Sequence, residues 1–148
     1  MTATIALDTR EAIGTVNPRL FGGFAEQLGR VIYGGLFDPD SETSDAGGLR
    51  ADVFDALTRL DFTILRYPGG NFVSGYHWRD GVGPLETRKQ VLDAAWNSSE
   101  PNTFGTDEFL RLAAKMGWGR MIAVTLGNGD ADEAAGGVGA SAGSGRDV

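Results

Sequence analysis

Arg66 and Asn71 flank a Pro68-Gly69-Gly70 break, with Tyr76 and Trp78 close behind, in the stretch Leu65-Arg66-Tyr67-Pro68-Gly69-Gly70-Asn71-Phe72-Val73-Ser74-Gly75-Tyr76-His77-Trp78. A guanidinium offers five donors in a fixed fork and a carboxamide both donates and accepts, so the pair suits a ligand covered in hydroxyls or carboxylates. Sugars add CH groups that pack on flat aromatic faces while their hydroxyls are bonded at the edge, which gives Tyr76 and Trp78 a use. The same residue types also describe a surface turn whose arginine pairs with a nearby aspartate.

Positioning these side chains falls to a strand. Phe62, Ile64 and Leu65 form an apolar run that stops where Pro-Gly-Gly forces a turn. A charged group at the last strand position and an amide just past the turn is how a barrel strand enters an active-site face. Before it, Val53, Phe54, Leu57 and Leu60 fall on one helical face, with Arg50, Asp52, Asp55 and Arg59 away from it. Leu20 to Glu26 reads as an earlier extended run, Val31 to Phe37 as a bend, and Gly81 to Pro101 as a long loop of the kind that carries function or stays disordered.

After that loop the pattern repeats. Thr106 is a good helix N-cap, Asp107 and Glu108 suit the first turn, and Phe109, Leu112, Ala113 and Met116 make an apolar stripe ended by Gly117. Met121 to Leu126 reads as a third buried strand. Strand and helix alternating in this way predict an α/β fold with a parallel sheet, an incomplete (β/α)8 TIM barrel of about three strands. Thr2 to Leu7 alternates polar and apolar residues and reads as a short leading strand.

Composition narrows the function classes. Thirteen basic against twenty acidic side chains give a net charge of -7, which argues against nucleic acid or an anionic membrane as partner. With no cysteine and a single histidine, His77, thiolate chemistry and a histidine-based metal cluster are excluded within one chain, and no cofactor is indicated. The first residues lack a basic start followed by an apolar core, and no segment approaches bilayer-spanning length, so a cytoplasmic location is expected. Gly127-Asn128-Gly129 fails as a dinucleotide fingerprint, and the Asn128, Asp130, Asp132 alternation fails as a calcium loop because Glu133 and Gly139 hold the turn and closing positions.

Several stretches together carry a resemblance. They are Phe24-Ala25-Glu26-Gln27-Leu28-Gly29-Arg30 with Ile32-Tyr33-Gly34-Gly35, then Arg66 through Gly75, then Trp78-Arg79-Asp80-Gly81-Val82-Gly83-Pro84. Leu92-Asp93-Ala94-Ala95-Trp96, Phe104-Gly105-Thr106-Asp107-Glu108-Phe109 and Met121-Ile122-Ala123-Val124-Thr125-Leu126-Gly127 continue the series in order. In these blocks the chain resembles the intracellular α-L-arabinofuranosidases of glycoside hydrolase family 51.

The resemblance implies retaining hydrolysis of terminal α-L-arabinofuranosyl linkages by a pair of glutamic acids, one acid/base and one nucleophile. It implies that Glu26, Arg66 and Asn71 hydrogen-bond the arabinofuranose and that Trp96 stands near the mouth of the pocket. Taken alone, Glu26 also fits a solvated loop acid or an ion-pair partner for Arg30 or Arg66. Gln27 departs from the histidine usual in the family beside that glutamate, and His77 reads as a loop residue. Both catalytic carboxylates are expected on later barrel strands, the acid/base within an Asn-Glu pair, and no such pair occurs in this sequence. The chain by itself is therefore expected to be inactive. The alternative function is a non-catalytic sugar-binding remnant or an inert fragment. A homo-oligomer is expected of the full-length family.

Three segments follow from this reading: residues 1–16 as a leading strand that in the family joins a β-sandwich, 17–133 as the N-terminal portion of a TIM-barrel glycoside hydrolase domain, and 134–148 as a tail. Eleven of the fifteen tail residues are Gly, Ala or Ser, too little apolar surface to offset ordering entropy, so disorder is expected there. The family pattern is expected to stop near Ala134, as a shifted reading frame or an artificial chain end would make it do.

Overall fold

A computed structural model describes residues 2–143. Three short strands form a parallel sheet in the order β1 (Gly22–Phe24), β2 (Ile64–Tyr67) and β5 (Gly119–Ile122), with β2 in the centre. Between the first two lies helix α1 (Ala51–Thr58). Between the second and third lie an antiparallel hairpin, β3 (Val91–Asp93) with β4 (Ser98–Glu100), and helix α2 (Thr106–Met116). Helix α3 (Ala131–Gly143) closes the described chain. The expected α/β alternation and parallel pairing are both present.

The period-two side-chain alternation of β2 divides the molecule. Leu65 and Tyr67 point into a core shared with Phe54 of α1 and Phe109, Leu112 and Ala113 of α2. Tyr67 stacks on Phe109 with ring centroids 4.8 Å apart and meets the edge of Phe104 at 5.7 Å. On the opposite face the register sets Phe24, Arg66 and Met121 side by side. Phe24 is 68% exposed and Met121 54% exposed, so that face carries no packed layer.

Helix α2 follows its sequence pattern, with Phe109, Leu112 and Ala113 fully buried and Gly117 closing the last turn at φ 68°. Its cap differs from expectation. Gly105 is the N-cap and Thr106 the first helical residue, and the Glu108 carboxylate accepts from the Gly105 N–H at 2.8 Å, the return half of a capping box. Leu60 lies beyond the end of α1 and is 60% exposed, so the core-facing stripe of that helix is Val53, Phe54 and Leu57. The third strand is shorter and earlier than expected: it ends at Ile122, the Ala123 N–H continues the ladder by one bond to the Tyr67 carbonyl at 2.8 Å, and residues 124–126 lie outside the strand.

Three further expectations are corrected. Residues 2–7 form no strand and are exposed, since a strand needs a neighbouring ladder and the described chain offers them none. The 81–101 stretch is ordered by the β3 to β4 hairpin and by a buried ion pair. Arg88 donates to both Glu108 oxygens at 2.7 and 3.1 Å and also to the carbonyls of Gly83 and Asn102, with only 3% and 4% of the two side chains exposed. The tail is helical from Ala131 to Gly143 where disorder was expected, while residues 144–148 lie outside the described residues.

The last correction has a packing reason. Helix α3 has little apolar surface, yet its small residues let it press against Trp78: a Cβ added to Gly137 would lie 3.2 Å from the indole, and one added to Gly136 would lie 3.3 Å from it. The Trp78 indole N–H donates to the Glu133 carbonyl at 3.1 Å, and Asp130 accepts from the Glu133 N–H at 2.8 Å, capping the helix. Burial of a large aromatic by a smooth helical face offsets the ordering cost that composition alone leaves uncovered.

Candidate functional site

The site forms where β1 and β2 end side by side. Ala25 N–H bonds to the Arg66 carbonyl at 2.8 Å, continuing the β1 to β2 ladder by one residue and placing Glu26 beside the turn that follows β2. That turn is tight: Tyr67–Pro68 is cis, and Gly69 and Gly70 both have left-handed φ values of 62° and 61°. The Asn71 backbone N–H then donates to Oε1 of Glu26 at 3.0 Å. The Glu26 carboxylate lies so close over Gly70 that any Cβ there would overlap it. Glu26 is thus fixed by the turn, and neither Arg30 nor Arg66 forms an ion pair with it.

Arg66 sits on the bare face of the sheet. Its guanidinium packs over the Phe24 ring at 4.8 Å and against Gly69, where a Cβ would stand 3.0 Å from Nε. Nε is buried without a hydrogen-bond partner. A buried, permanently charged donor lacking an acceptor costs free energy until something supplies one. The side-chain amide of Asn71 is exposed and makes no hydrogen bond among the described residues.

Glu26, Arg66 and Asn71 are therefore brought to one place. Trp96 is not part of that cluster: it stands 42% exposed on the turn of the β3 to β4 hairpin, which Asp93 closes by accepting from the Ala95 and Trp96 N–H groups. The two aromatic platforms expected from sequence are spent elsewhere. Tyr76 is buried and tilts against Phe72 at 4.7 Å, and Trp78 lies between Arg79 and helix α3.

Beside Asn71 opens a groove of about 580 Å³, floored by the 71–77 segment and walled by the β3 to β4 hairpin, with Asn128 on its border. His77, read from sequence as a plain loop residue, pairs through Nδ1 with Oε1 of Glu133 at 2.8 Å and faces this groove. The sequence held no signal for that pair, whose members lie 56 positions apart. Gln27 is buried and donates to the Phe104 carbonyl at 3.2 Å, anchoring the residue next to Glu26 to the start of α2.

Behind the site, Glu100 accepts from the Tyr33 hydroxyl and from the Asn102 N–H, the latter at 2.7 Å. Burial raises the Glu100 carboxyl above its ordinary value, the two donors working against that shift. Among the described residues no group of three or more histidine, cysteine, aspartate or glutamate side chains is arranged to hold a metal ion.

The family model described as the alpha-L-arabinofuranosidase 1 domain matches residues 56–141, more than half of the chain. The chain belongs to this family. Its match corresponds to the N-terminal part of the family 51 arabinofuranosidases, and it runs through most of α3, which corrects the expectation that the family pattern stops near Ala134. An intracellular exo-alpha-(1->5)-L-arabinofuranosidase of Streptomyces lividans is 50% identical over 135 residues, covering 90% of this chain and 20% of the relative. A probable alpha-L-arabinofuranosidase C of Aspergillus flavus is 45% identical, over 90% of this chain and 26% of its own length.

Among solved structures, the family 51 alpha-L-arabinofuranosidase of Bifidobacterium longum superposes with a TM-score of 0.78 at 47% identity, covering 80% of this chain and 23% of that one. An arabinose complex of the Thermotoga maritima enzyme gives 0.75 at 48% identity, covering 76% and 23%. The chain thus spans a fifth to a quarter of the length of these arabinofuranosidases. No helix among the described residues is long and apolar enough to cross a membrane.

Proposed function

We propose that this chain is the sugar-holding quarter of a retaining α-L-arabinofuranosidase acting on terminal, non-reducing α-L-arabinofuranosyl residues of arabinose-containing saccharides. In this reading Glu26, Arg66 and Asn71 grip the furanose hydroxyls and Trp96 borders the entrance. The observation that carries it is the orphaned Nε of Arg66 beside the carboxylate of Glu26 and the free amide of Asn71. A fork of donors, a fixed acceptor and an amide of both kinds match a ring with several hydroxyls at set spacing.

The bare row of Phe24, Arg66 and Met121 supports a (β/α)8 barrel whose inner face this is, completed by later strands that bring the acid/base and the nucleophile about 5 Å apart. With a cooperating pair missing, several orders of magnitude of rate are lost, so the 148-residue chain binds without cleaving. The names of the relatives support a cytoplasmic setting. The second reading, a non-catalytic sugar-binding species, draws on the same cluster and differs in having no later strands with a catalytic pair to serve.

Two measurements test this. Thermal unfolding with and without methyl α-L-arabinofuranoside is expected to show a cooperative transition that rises with the sugar. Incubation with a nitrophenyl arabinofuranoside is expected to release no nitrophenol above a mock preparation. A sugar-indifferent transition refutes the binding site, and clear release refutes the division of labour between this chain and the later strands.

A further inference from the structure

Between the end of β5 and helix α3 the chain runs through Gly127-Asn128-Gly129, of which Asn128 and Gly129 belong neither to the core nor to the cluster of Glu26, Arg66 and Asn71. We propose that Asn128–Gly129 is a self-modifying site, where the chain converts Asn128 to isoaspartate and aspartate through a succinimide in preference to every other asparagine it contains.

Both reacting groups are uncommitted. The Asn128 side chain is exposed, and neither its amide nor the Gly129 N–H forms a hydrogen bond among the described residues. The chain just before them is held. The Asn128 N–H donates to the Ser74 carbonyl at 3.1 Å, and Gly127 lies so close that a Cβ on it would stand 2.8 Å from the same oxygen. A nucleophile and an acyl carbon on adjacent residues of one restrained segment are the setting in which intramolecular reaction gains most. Gly129 has no Cβ to block the approach. The fold also requires glycine here, since a Cβ at 129 would stand 2.4 Å from Cγ2 of Thr125.

The reaction needs only water. The Gly129 backbone nitrogen loses its proton to solvent base and attacks Cγ of Asn128. The N–Cγ bond forms, the Cγ–Nδ2 bond breaks, and ammonia leaves from a closed succinimide ring. Water then adds to one of the two ring carbonyls. Breaking the bond between nitrogen and the main-chain carbonyl carbon leaves isoaspartate, and breaking the N–Cγ bond leaves aspartate. No electrons are transferred, and either product adds one negative charge to a chain of net charge -7.

The other four asparagines lack one requirement or another. Asn17 precedes Pro18, which has no N–H to lose, and its Oδ1 is engaged by the Arg19 N–H at 3.0 Å. Asn71 precedes the bulky, buried Phe72. Asn97 precedes Ser98, which carries a Cβ and begins β4 in register with Asp93. Asn102 is fully buried, and its Nδ2 donates to the Lys89 carbonyl at 2.7 Å.

The test is to age the folded chain in mildly alkaline buffer and follow it by isoelectric focusing and by mass spectrometry of tryptic peptides. Residues 121–146 form one such peptide, and Asn128 is its only asparagine. The expected result is an acidic band that grows with time. The 121–146 peptide is expected to gain the mass of an amide-to-acid exchange at least about tenfold faster than any peptide bearing Asn17, Asn71, Asn97 or Asn102, because the intramolecular approach is open at one site alone. It is further expected to separate into isoaspartyl and aspartyl forms, the first a substrate for an isoaspartyl carboxyl methyltransferase. Asn128→Gln, whose ring closure requires a larger ring, is expected to abolish the acidic band over the same period. A 121–146 peptide that keeps its mass, or changes no faster than the others, overturns the proposal. So does an acidic band that persists in Asn128→Gln, and aspartate formed with no isoaspartate overturns the succinimide route.

Discussion

The carboxylate of Glu26 lies directly over the backbone of Gly70, with no room between them for a Cβ. The two come from different strand ends, and the contact is what aims the carboxylate, because the next N–H along, that of Asn71, holds Oε1. Gly70→Ala therefore evicts Glu26 from its place, the flexible end of the side chain yielding before the backbone does. The alanine must also adopt a φ near 61°, a strain of about 1–2 kcal/mol. The variant is expected to stay folded with a lower melting temperature and to lose affinity for methyl α-L-arabinofuranoside by tenfold or more, read by titration. Unchanged affinity would show that the position of Glu26 has no bearing on the ligand.

Arg66 behaves oppositely. Its Nε has no acceptor and its guanidinium only stacks on Phe24, so Arg66→Met removes no intramolecular hydrogen bond and deletes a buried unsatisfied donor. Stability is expected to hold within about 1 kcal/mol or to rise, while sugar affinity is lost. Urea denaturation alongside the same titration separates these effects. A loss of 3 kcal/mol or more would mean that the arginine serves the fold instead.

Arg88 and Glu108 form the buried pair that ties the 81–105 segment to the first turn of α2. Breaking such a pair from one side strands the other charge, at a cost of about 3–5 kcal/mol. Arg88→Met leaves Glu108 with only the Gly105 N–H and the exposed Arg111. The expected result is a drop of that size in urea denaturation, with loss of near-ultraviolet aromatic signal as Tyr67, Phe104 and Phe109 unpack. A loss under about 1 kcal/mol would place the pair among those that solvent already screens.

What could be read from the residues, and what could not, follows physical lines. The strand into Arg66, the break after it and the stripe of α2 are local patterns, each set by periodicity and by a proline or glycine at a definite place, and each is present. The meeting of Glu26 with Asn71 was legible only through resemblance, since those residues are 45 positions apart and nothing local joins them. Arg88 reads as one more loop cation until Glu108 is seen opposite it. Residues 2–7 alternate as a strand should, but alternation states a preference that only a pairing partner can realise.

Glu100 gives a pH dependence with a defined sign. Burial raises its carboxyl in the folded state, so folding favours the protonated form, and the contribution is complete below the ordinary value of 4.5 and lost as pH rises through the raised one. Glu100→Gln keeps an oxygen to accept from Tyr33 and Asn102 while removing the ionisation. The variant is expected to melt at or above the parent temperature at pH 7, and the difference between the two to shrink as pH falls toward 4. Parallel melting curves across that range would show that Glu100 does not titrate with folding.

Helix α3 was the element least visible in composition, and its docking makes the sharpest structural claim. Thirteen residues of mostly Gly and Ala stay helical here because Gly137 and Gly136 let the helix lie flat on Trp78, while Glu133 receives the indole N–H through its carbonyl and His77 through its carboxylate. A leucine at 137 stands where the indole is and must push the helix away, and with it go both hydrogen bonds. Gly137→Leu is expected to shift Trp78 emission to the red and to speed backbone exchange from Ala131 onward, although leucine is intrinsically the better helix former by close to 1 kcal/mol. Gly139→Leu, at a position where a Cβ meets nothing within 4 Å, is the matched control and is expected to slow exchange in the same helix. If both variants slow exchange alike, propensity governs the segment and the contact with Trp78 does not hold it.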